Sequence, residues 1–219
     1  MALSDAELCD RYEDLYPGAV ADSLDDLGYE RRTLPSAIDG LTHETRVAGI
    51  AYPVRGHPVE ESDYDENIRR FLRMLGDAPE HSVVVYETND EEAAHLGELS
   101  TTALAAGGCR GAVIDGGIRD VRFITEQDFP VFARYRTPAD APPRWRLDEW
   151  GVPARVGDVE VRPGDVVVGD VDGVVCVPRA VAEEVLELAE ETAETEDEIR
   201  DLVRDGVDPL DAFERYGKF

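Results

Sequence analysis

Short apolar runs separated by helical segments constrain the fold of this chain more than any other feature. Three of them, at residues 83–86, 112–114 and 130–133, have the length of buried strands and are too short for core helices. Between the first two lies a segment rich in Ala and Leu, at 98–106, which predicts a helix that stops at Gly107. Buried strands that alternate with helices predict an α/β protein.

The two ends of the chain modify this prediction. Towards the N-terminus, helical spacing is present at 18–27, which ends at Gly28, and at 64–75, and a strand is predicted at 47–54. Further along, strands are predicted in close succession, before one long helix; they cover 159–161, 166–168 and 173–177, with the helix at about 180–204. The mixture favours a three-layer α/β or β/β/α sandwich over a plain doubly wound sheet. Residues 137–156, with four prolines and two tryptophans, are predicted to form a long surface loop.

Charge is the strongest compositional signal. The 219 residues include 49 acidic and 22 basic side chains, a net charge of −27, and Lys218 is the single lysine. Nucleic acid is excluded as a partner because no basic stripe is present to neutralise phosphates. So acidic a surface repels itself unless salt screens it, which indicates a protein adapted to high salt. Without a membrane-length apolar run or a leader at Met1, we expect a cytoplasmic protein with no membrane partner.

Familiar catalytic motifs are missing from the sequence. The three cysteines, Cys9, Cys109 and Cys176, show no CxxC spacing and are predicted to be buried free thiols. The four histidines lack the i,i+4 spacing of a metal-binding helix, and no P-loop, GxSxG or GxGxxG fingerprint is present. Candidate chemistry is therefore sought where predicted strands meet predicted helices.

The first such junction is Gly97–Glu98–Leu99–Ser100. A helix that begins after glycine offers free amides and a favourable dipole to a carboxylate or phosphate. The alternative is structural: Gly97 eases the turn, and Glu98 complements the helix dipole.

The second junction runs from Asp115 through two glycines to Arg119 and Asp120. An Arg side chain can bind a carboxylate in bidentate fashion, and an adjacent Asp can hold a hard cation. The alternative is a surface ion pair in which Asp120 merely begins a helix.

The long C-terminal helix carries one further candidate, Glu196. Its apolar stripe is predicted to comprise Val181, Val185, Leu188, Thr192, Ile199 and Val203. Glu196 lies in this stripe, where an unpaired carboxylate is costly if protein covers it. The alternative is that Glu196 is exposed beyond the edge of the core.

These segments together resemble the RraA-like family. The resemblance rests on residues 94–100, 111–120, 129–134, 161–165 and 169–175, and it extends over about 17–203. The family includes the regulator of ribonuclease activity A and the aldolases of 4-hydroxy-4-methyl-2-oxoglutarate and 4-carboxy-4-hydroxy-2-oxoadipate. Membership implies a single swivelling β/β/α domain over residues 1–219, with a C-terminal helical tail, assembled as a homotrimer or hexamer.

The resemblance also implies roles for the two junctions. Asp120 would bind Mg²⁺ or Mn²⁺, and Arg119 would bind the substrate. The turn at Gly97, with the amides of Leu99 and Ser100, would receive the carboxylate of a small 2-oxo acid.

Two glutamates complete the implied site. Glu98 would reach the metal through a water molecule, and Glu196 would do so from a neighbouring subunit. The aldolases carry Asp where this chain has Glu98, whereas the regulators generally lack an acid there.

The implied activity is that of a class II aldolase. It would cleave 4-hydroxy-2-oxo diacids to pyruvate and would decarboxylate oxaloacetate as a side activity. The alternative is a non-catalytic regulator that binds an RNA-processing enzyme. Retention of Glu98, Arg119 and Asp120 together favours the aldolase, because a protein-binding surface does not require a metal shell.

Overall fold

A computed structural model describes residues 3–217 of the chain. Its helices are α1 (Asp5–Glu13), α2 (Pro17–Asp26), α3 (Tyr64–Asp77), α4 (Glu98–Ala106), α5 (Val121–Glu126), α6 (Ala182–Arg204) and α7 (Pro209–Tyr216). Its strands are β1 (Asp39–Gly40), β2 (Val47–Pro58), β3 (Ser82–Glu87), β4 (Ala94–Leu96), β5 (Gly111–Ile118), β6 (Val131–Arg136), β7 (Trp145–Trp150), β8 (Ala154–Val156), β9 (Val159–Val161), β10 (Val166–Asp170) and β11 (Gly173–Val177).

One mixed sheet of nine strands organises the molecule. Its main path runs β1-β6-β5-β3-β2-β10-β11, with β4 paired to β5 and β7 paired to β2. The central strands β2, β3, β5 and β6 are mutually parallel, while β10 and β11 are antiparallel to their neighbours. Strands β8 and β9 form a separate hairpin. The parallel centre brings the ends of β4 and β5 to one edge, where α4 and α5 begin.

Helices cover one face of the parallel strands. Phe71 and Met74 of α3, Leu104 of α4 and Ile124 of α5 are all buried against this face. Asp63 caps the N-terminus of α3, and its carboxylate accepts a hydrogen bond from the amide of Glu66. This packing fixes α3 and α4 side by side above the sheet.

The hairpin of β8 and β9 forms a second β layer on the opposite face of the sheet, as the alternation of side chains in β10 shows. Val167 points into a core shared with Val85 of β3 and Val159 of the hairpin. Val166 and Val168 point the other way, into a core formed with α1, α2 and α6. A strand exposes successive side chains to opposite faces, so β10 must be buried on both sides. The predicted β/β/α arrangement is confirmed.

The predicted surface loop at 137–156 is correct only in part, because the strands β7 and β8 lie within this range. Residues Trp145–Trp150 form β7, antiparallel to β2, with Trp145 and Leu147 buried and Arg146 turned outward. The indole nitrogen of Trp145 donates a hydrogen bond to the carbonyl of Thr88, 2.6 Å away. The prolines on either side suggested a loop, whereas the period-two pattern of the strand between them decides the structure.

The predicted stripe of the long helix is correct only in part. The buried residues of α6 are Ala182, Val185, Leu186, Ala189, Thr192 and Ile199. Leu188 and Val203 are half-buried, because the helix turns its alanine-rich side towards α1 and α2. Helix α1, which begins at a capping box on Ser4, was not predicted.

Two smaller predictions concern thiols and membranes. All three cysteines are buried and free, as predicted. Within residues 3–217, no helix has the length and apolar character needed to cross a membrane. The single lysine, Lys218, lies outside the described residues.

Candidate functional site

The two strand-to-helix junctions meet at one cavity of about 290 Å³. It lies where β4 and β5 end and α4 and α5 begin, and α3 forms its far wall. Of the residues proposed from sequence, the cavity lining includes Gly97, Leu99, Ser100, Arg119 and Asp120. The structure therefore brings together two segments that are separate in the chain.

Asp120 is held in an unusual backbone conformation at the start of α5. Its φ of 58° and ψ of 27° lie in the left-handed region, which few non-glycine residues adopt. Its Oδ2 accepts a hydrogen bond from the amide of Glu98, 3.2 Å away. A Cβ at Gly97 would lie 2.7 Å from the same Oδ2, so only glycine permits this approach. The carboxylate is thus fixed by both junctions.

Arg119 lies between two carboxylates. Its Nε is 3.7 Å from Oδ2 of Asp120, and its Nη1 is 3.1 Å from Oδ1 of Asp140. All three side chains are between a third and a half exposed, so the pairs are open to solvent and to ligand. A guanidinium in this position can bind the carboxylate of a substrate while its neighbours hold its orientation.

Asp140 was not predicted from sequence. A bridge between Ala94 of β4 and Asp140 brings it to the cavity, and the amide of Ala94 donates to the carbonyl of Ala139 at 2.8 Å. Nothing in the local sequence signals this contact, because it depends on pairing with β4, a strand of three residues.

The first turn of α4 offers fewer free amides than the sequence suggested. The amide of Glu98 donates to Asp120, and that of Ser100 donates to the carbonyl of Gly97 at 3.1 Å. The amide of Leu99 has no acceptor within residues 3–217. Of the two amides proposed to receive a carboxylate, that of Leu99 is therefore the available one.

The carboxylate of Glu98 is directed away from the cavity. Its Oε1 accepts hydrogen bonds from Thr102 at 3.0 Å and from Gln127 at 3.1 Å. Only a change of rotamer would bring this side chain to a cation on Asp120. The proposed contact through water stays a prediction.

Glu196 does not line the cavity of its own chain. It is half-buried on α6, and its carboxylate accepts a short hydrogen bond from the hydroxyl of Tyr16. Burial, together with this bond, raises the pKa of Tyr16 well above its usual range. The proposed role of Glu196 in a neighbouring subunit stays a prediction.

His95 forms the buried floor of the cavity. It is 3% exposed and packs edge-on against Trp145, with ring centroids 4.9 Å apart. Its Nε2 lies 3.2 Å from Oδ2 of Asp90, yet within the described chain neither ring nitrogen makes a well-directed hydrogen bond. Burial lowers the pKa of His95 to about 4, against the opposing effect of Asp90. The imidazole is therefore neutral at pH 7.

The oxygen atoms at this site suit a hard divalent cation. Asp120 supplies a fixed carboxylate, and Asp140 supplies a second one across Arg119. No cluster of three or more acidic, His or Cys side chains able to hold a metal is found in residues 3–217. A cation on Asp120 would therefore need further ligands from substrate, water or another subunit.

Comparison with known proteins gives this geometry a family context. A provisionally named 4-hydroxy-4-methyl-2-oxoglutarate aldolase from Halalkalibacterium halodurans is 29% identical over 214 residues, which cover 97% of this chain and 96% of that protein. A solved structure described as one of the novel cellulases from microbes associated with the gut ecosystem is 36% identical. It has a TM-score of 0.84 and covers 90% of this chain and 89% of that one.

A second solved structure represents the regulatory branch. It is Streptomyces coelicolor RraAS2, described as an unusual member of the RNase ES inhibitor RraA protein family. It is 27% identical with a TM-score of 0.80, over 90% of this chain and 98% of that one. The RraA-like family model, described as Aldolase/RraA, matches residues 6–176, which include both junctions and the cavity between them. The chain belongs to the RraA-like family.

Proposed function

We propose that this protein is a divalent-metal-dependent carbon–carbon lyase that releases pyruvate from 4-hydroxy-2-oxo acids. The observation that carries the proposal is the convergence of Arg119, Asp120 and the free amide of Leu99 on one cavity. The cavity has the size of a small-molecule site rather than that of a polysaccharide cleft. The diacids expected from the resemblance, together with oxaloacetate, are the first substrates to assay.

The charges of the site match this chemistry. Breaking the bond between C3 and C4 of a 4-hydroxy-2-oxo acid places negative charge on the pyruvyl half. Arg119 would bind the carboxylate of that half and stabilise the developing charge, and the Leu99 amide would orient it. The pair with Asp140 would hold the guanidinium in place.

Asp120 is the residue that would hold Mg²⁺ or Mn²⁺. When bound, such a cation would polarise the 2-oxo group as a Lewis acid. The amide of Glu98 fixes Oδ2 of Asp120 and leaves Oδ1 for a ligand. The net charge of −27 adds a negative potential that attracts cations to the surface.

A protein-binding regulator is the alternative function within this family. Such a role requires an interaction surface, and it gives no reason for Arg119, Asp120 and the free amide of Leu99 to converge on one small cavity. The lyase therefore agrees better with the site.

Pyruvate release tests the proposal. We expect release from oxaloacetate and from 4-hydroxy-2-oxo acids at high salt, loss on chelation, and recovery on addition of Mg²⁺ or Mn²⁺. Asp120→Ala should abolish both metal binding and activity. Arg119→Ala should keep metal binding but raise the barrier by about 2–4 kcal/mol.

Two matched variants serve as controls. Asp128 is exposed and, like Asp120, has a left-handed backbone, with φ 56°. Asp128→Ala therefore makes the same substitution in the same backbone conformation, at a position away from the cavity. Arg122 is an exposed arginine of α5 that pairs with Glu126. Arg122→Ala therefore removes a guanidinium that lies outside the cavity. Undiminished pyruvate release after exhaustive chelation would contradict the proposal.

A further inference from the structure

The cavity at Arg119 and Asp120 has two unlike halves. One half is polar and carries the two aspartates, Asp120 and Asp140, with Arg119 between them. The other half is a hydrocarbon wall supplied by one face of α3. We call it the α3 wall, and it consists of Tyr64, Ile68, Phe71, Leu72 and Leu75.

The distribution of charge limits what can occupy the second half. Arg119 is the one cationic side chain among the described lining residues, and the carboxylate of the 2-oxo acid would use it. Two further arginines lie close by without lining the cavity: Arg136 lines a neighbouring cavity and donates to the carbonyl of Leu41 at 3.2 Å, and Arg144 donates to the carbonyl of Asp140 at 2.9 Å. The cation on Asp120 would be taken up by the 2-oxo acid half, so a distal carboxylate in this cavity would lie against hydrocarbon or near Asp140. Both arrangements are unfavourable.

Two side chains of the α3 wall are exposed to solvent. Leu72 is 60% exposed and Tyr64 is 50% exposed, although both lie beside the cavity. On the α4 side of the same cavity, Leu99 is 80% exposed, directly after the Glu98 amide that holds Asp120. A ligand anchored at Arg119 would place its far end between these apolar side chains and remove them from water.

We infer that the preferred substrates are 4-hydroxy-2-oxo monoacids with an aliphatic or aromatic group beyond C4, rather than diacids. The inference rests on the proposed function. In the reaction, the C3–C4 bond breaks and its electron pair goes to C3, while the 4-hydroxyl loses its proton. C3 then gains a proton, so the products are pyruvate and an apolar aldehyde or ketone.

Two stable ligands separate the alternatives without need of catalysis. 2-Oxoglutarate and 2-oxo-5-methylhexanoate have the same heavy-atom skeleton, and the first ends in a carboxylate where the second ends in an isopropyl group. Their dissociation constants are measured by calorimetry with Mg²⁺ at high salt. We expect the isopropyl ligand to bind at least about tenfold more tightly, which corresponds to roughly 1.4 kcal/mol.

Substitution in the α3 wall should reverse this preference. Leu72→Arg places a cation in the wall, so it should strengthen 2-oxoglutarate binding and weaken that of the isopropyl ligand. Leu210→Arg is the matched control, because Leu210 of α7 is 62% exposed and outside the cavity lining. The control should leave both dissociation constants unchanged.

The outcomes distinguish this inference from the proposed function. Tighter binding of the isopropyl ligand without pyruvate release from any 2-oxo acid would support the selectivity of the cavity for an apolar group and contradict the lyase. Pyruvate release together with equal or tighter binding of 2-oxoglutarate would support the lyase and contradict the inference. Failure of both ligands to bind would overturn the inference. A further outcome is that Leu72→Arg changes the oligomeric mass and leaves the ratio of the two dissociation constants unchanged. That result would assign the α3 wall to a contact between copies of the chain, and it would also overturn the inference.

Discussion

At the scale of single residues, the sequence identified the two junctions of the cavity but neither Asp140 nor the wall that α3 contributes. Gly97, Arg119 and Asp120 are recognisable because strand-to-helix junctions with glycines place side chains at the edge of a sheet. Asp140 escaped notice because its position depends on a bridge to β4. The direction of the Glu98 side chain was equally hidden, since it depends on Gln127, which lies 29 residues away.

Gly97 provides the residue-scale prediction. In Gly97→Ala the added Cβ would lie 2.7 Å from Oδ2 of Asp120, so the carboxylate must move. We expect Mn²⁺ affinity, measured by calorimetric titration, to fall at least about tenfold, or roughly 1.4 kcal/mol. Gly76→Ala is the control, because nothing lies within 4 Å of its added Cβ and the change should stabilise α3 by about 0.5–1 kcal/mol. Equal Mn²⁺ affinity in Gly97→Ala and the parent would contradict the assignment of Asp120 as the metal ligand.

At the scale of elements, periodicity predicted the strands and helices that bury a clear face. The strands β3, β5, β10 and β11 and the helices α3 and α4 all lie where apolar spacing indicated them. The strand β7 was missed because prolines dominate the segment around it, and its burial depends on Phe71 of α3 and on the long strand β2. The face of α6 was misjudged because alanine, at Ala182 and Ala189, contributes to packing without a strong apolar signal.

Helix α6 carries the prediction at this scale. We propose that Glu196 acts on the site of a neighbouring subunit in a trimer, although in its own chain it accepts a hydrogen bond from Tyr16. Glu196→Gln keeps an acceptor for that hydroxyl and removes the charge. Mixing inactive Asp120→Ala chains with inactive Glu196→Gln chains should restore part of the pyruvate release, because hybrid interfaces combine an intact Asp120 with an intact Glu196.

Two controls make the mixing experiment decisive. Subunit exchange is verified first with labelled chains, and Glu198→Gln, an exposed glutamate on the same helix, should remain active alone. Exchange with no recovered activity, or a fully active monomer, would contradict a shared site.

At the scale of the whole molecule, net charge is the dominant property. With a charge of −27, most surface regions repel one another, and salt of about 1 M shortens the screening length to about 3 Å. Salt also weakens exposed ion pairs such as Arg122–Glu126 and Arg200–Asp197, but such pairs contribute at most about 1 kcal/mol each. The stability gained when salt relieves the general repulsion should therefore exceed the stability lost when the exposed ion pairs weaken.

Thermal unfolding across a potassium chloride series tests this balance. We expect the midpoint to rise steadily between about 0.1 M and about 2 M salt, because screening lowers the electrostatic free energy of the compact state. Sodium chloride at the same ionic strengths should give the same trend, because the effect depends on screening and not on the identity of the cation. A flat or falling midpoint would show that the acidic surface is not an adaptation to high salt.

The central claim, that the cavity at Arg119 and Asp120 holds a divalent cation with a 2-oxo acid, is tested most directly by crystallography. Crystals grown at high salt would be soaked with Mn²⁺ and oxalate, which resembles the pyruvyl half of the substrate, and anomalous scattering would locate the metal. We predict one Mn²⁺ in direct contact with the Asp120 carboxylate, with oxalate bound to Arg119 and the Leu99 amide. Density for Mn²⁺ elsewhere, or an Asp120 carboxylate without metal at saturating concentrations, would contradict the account.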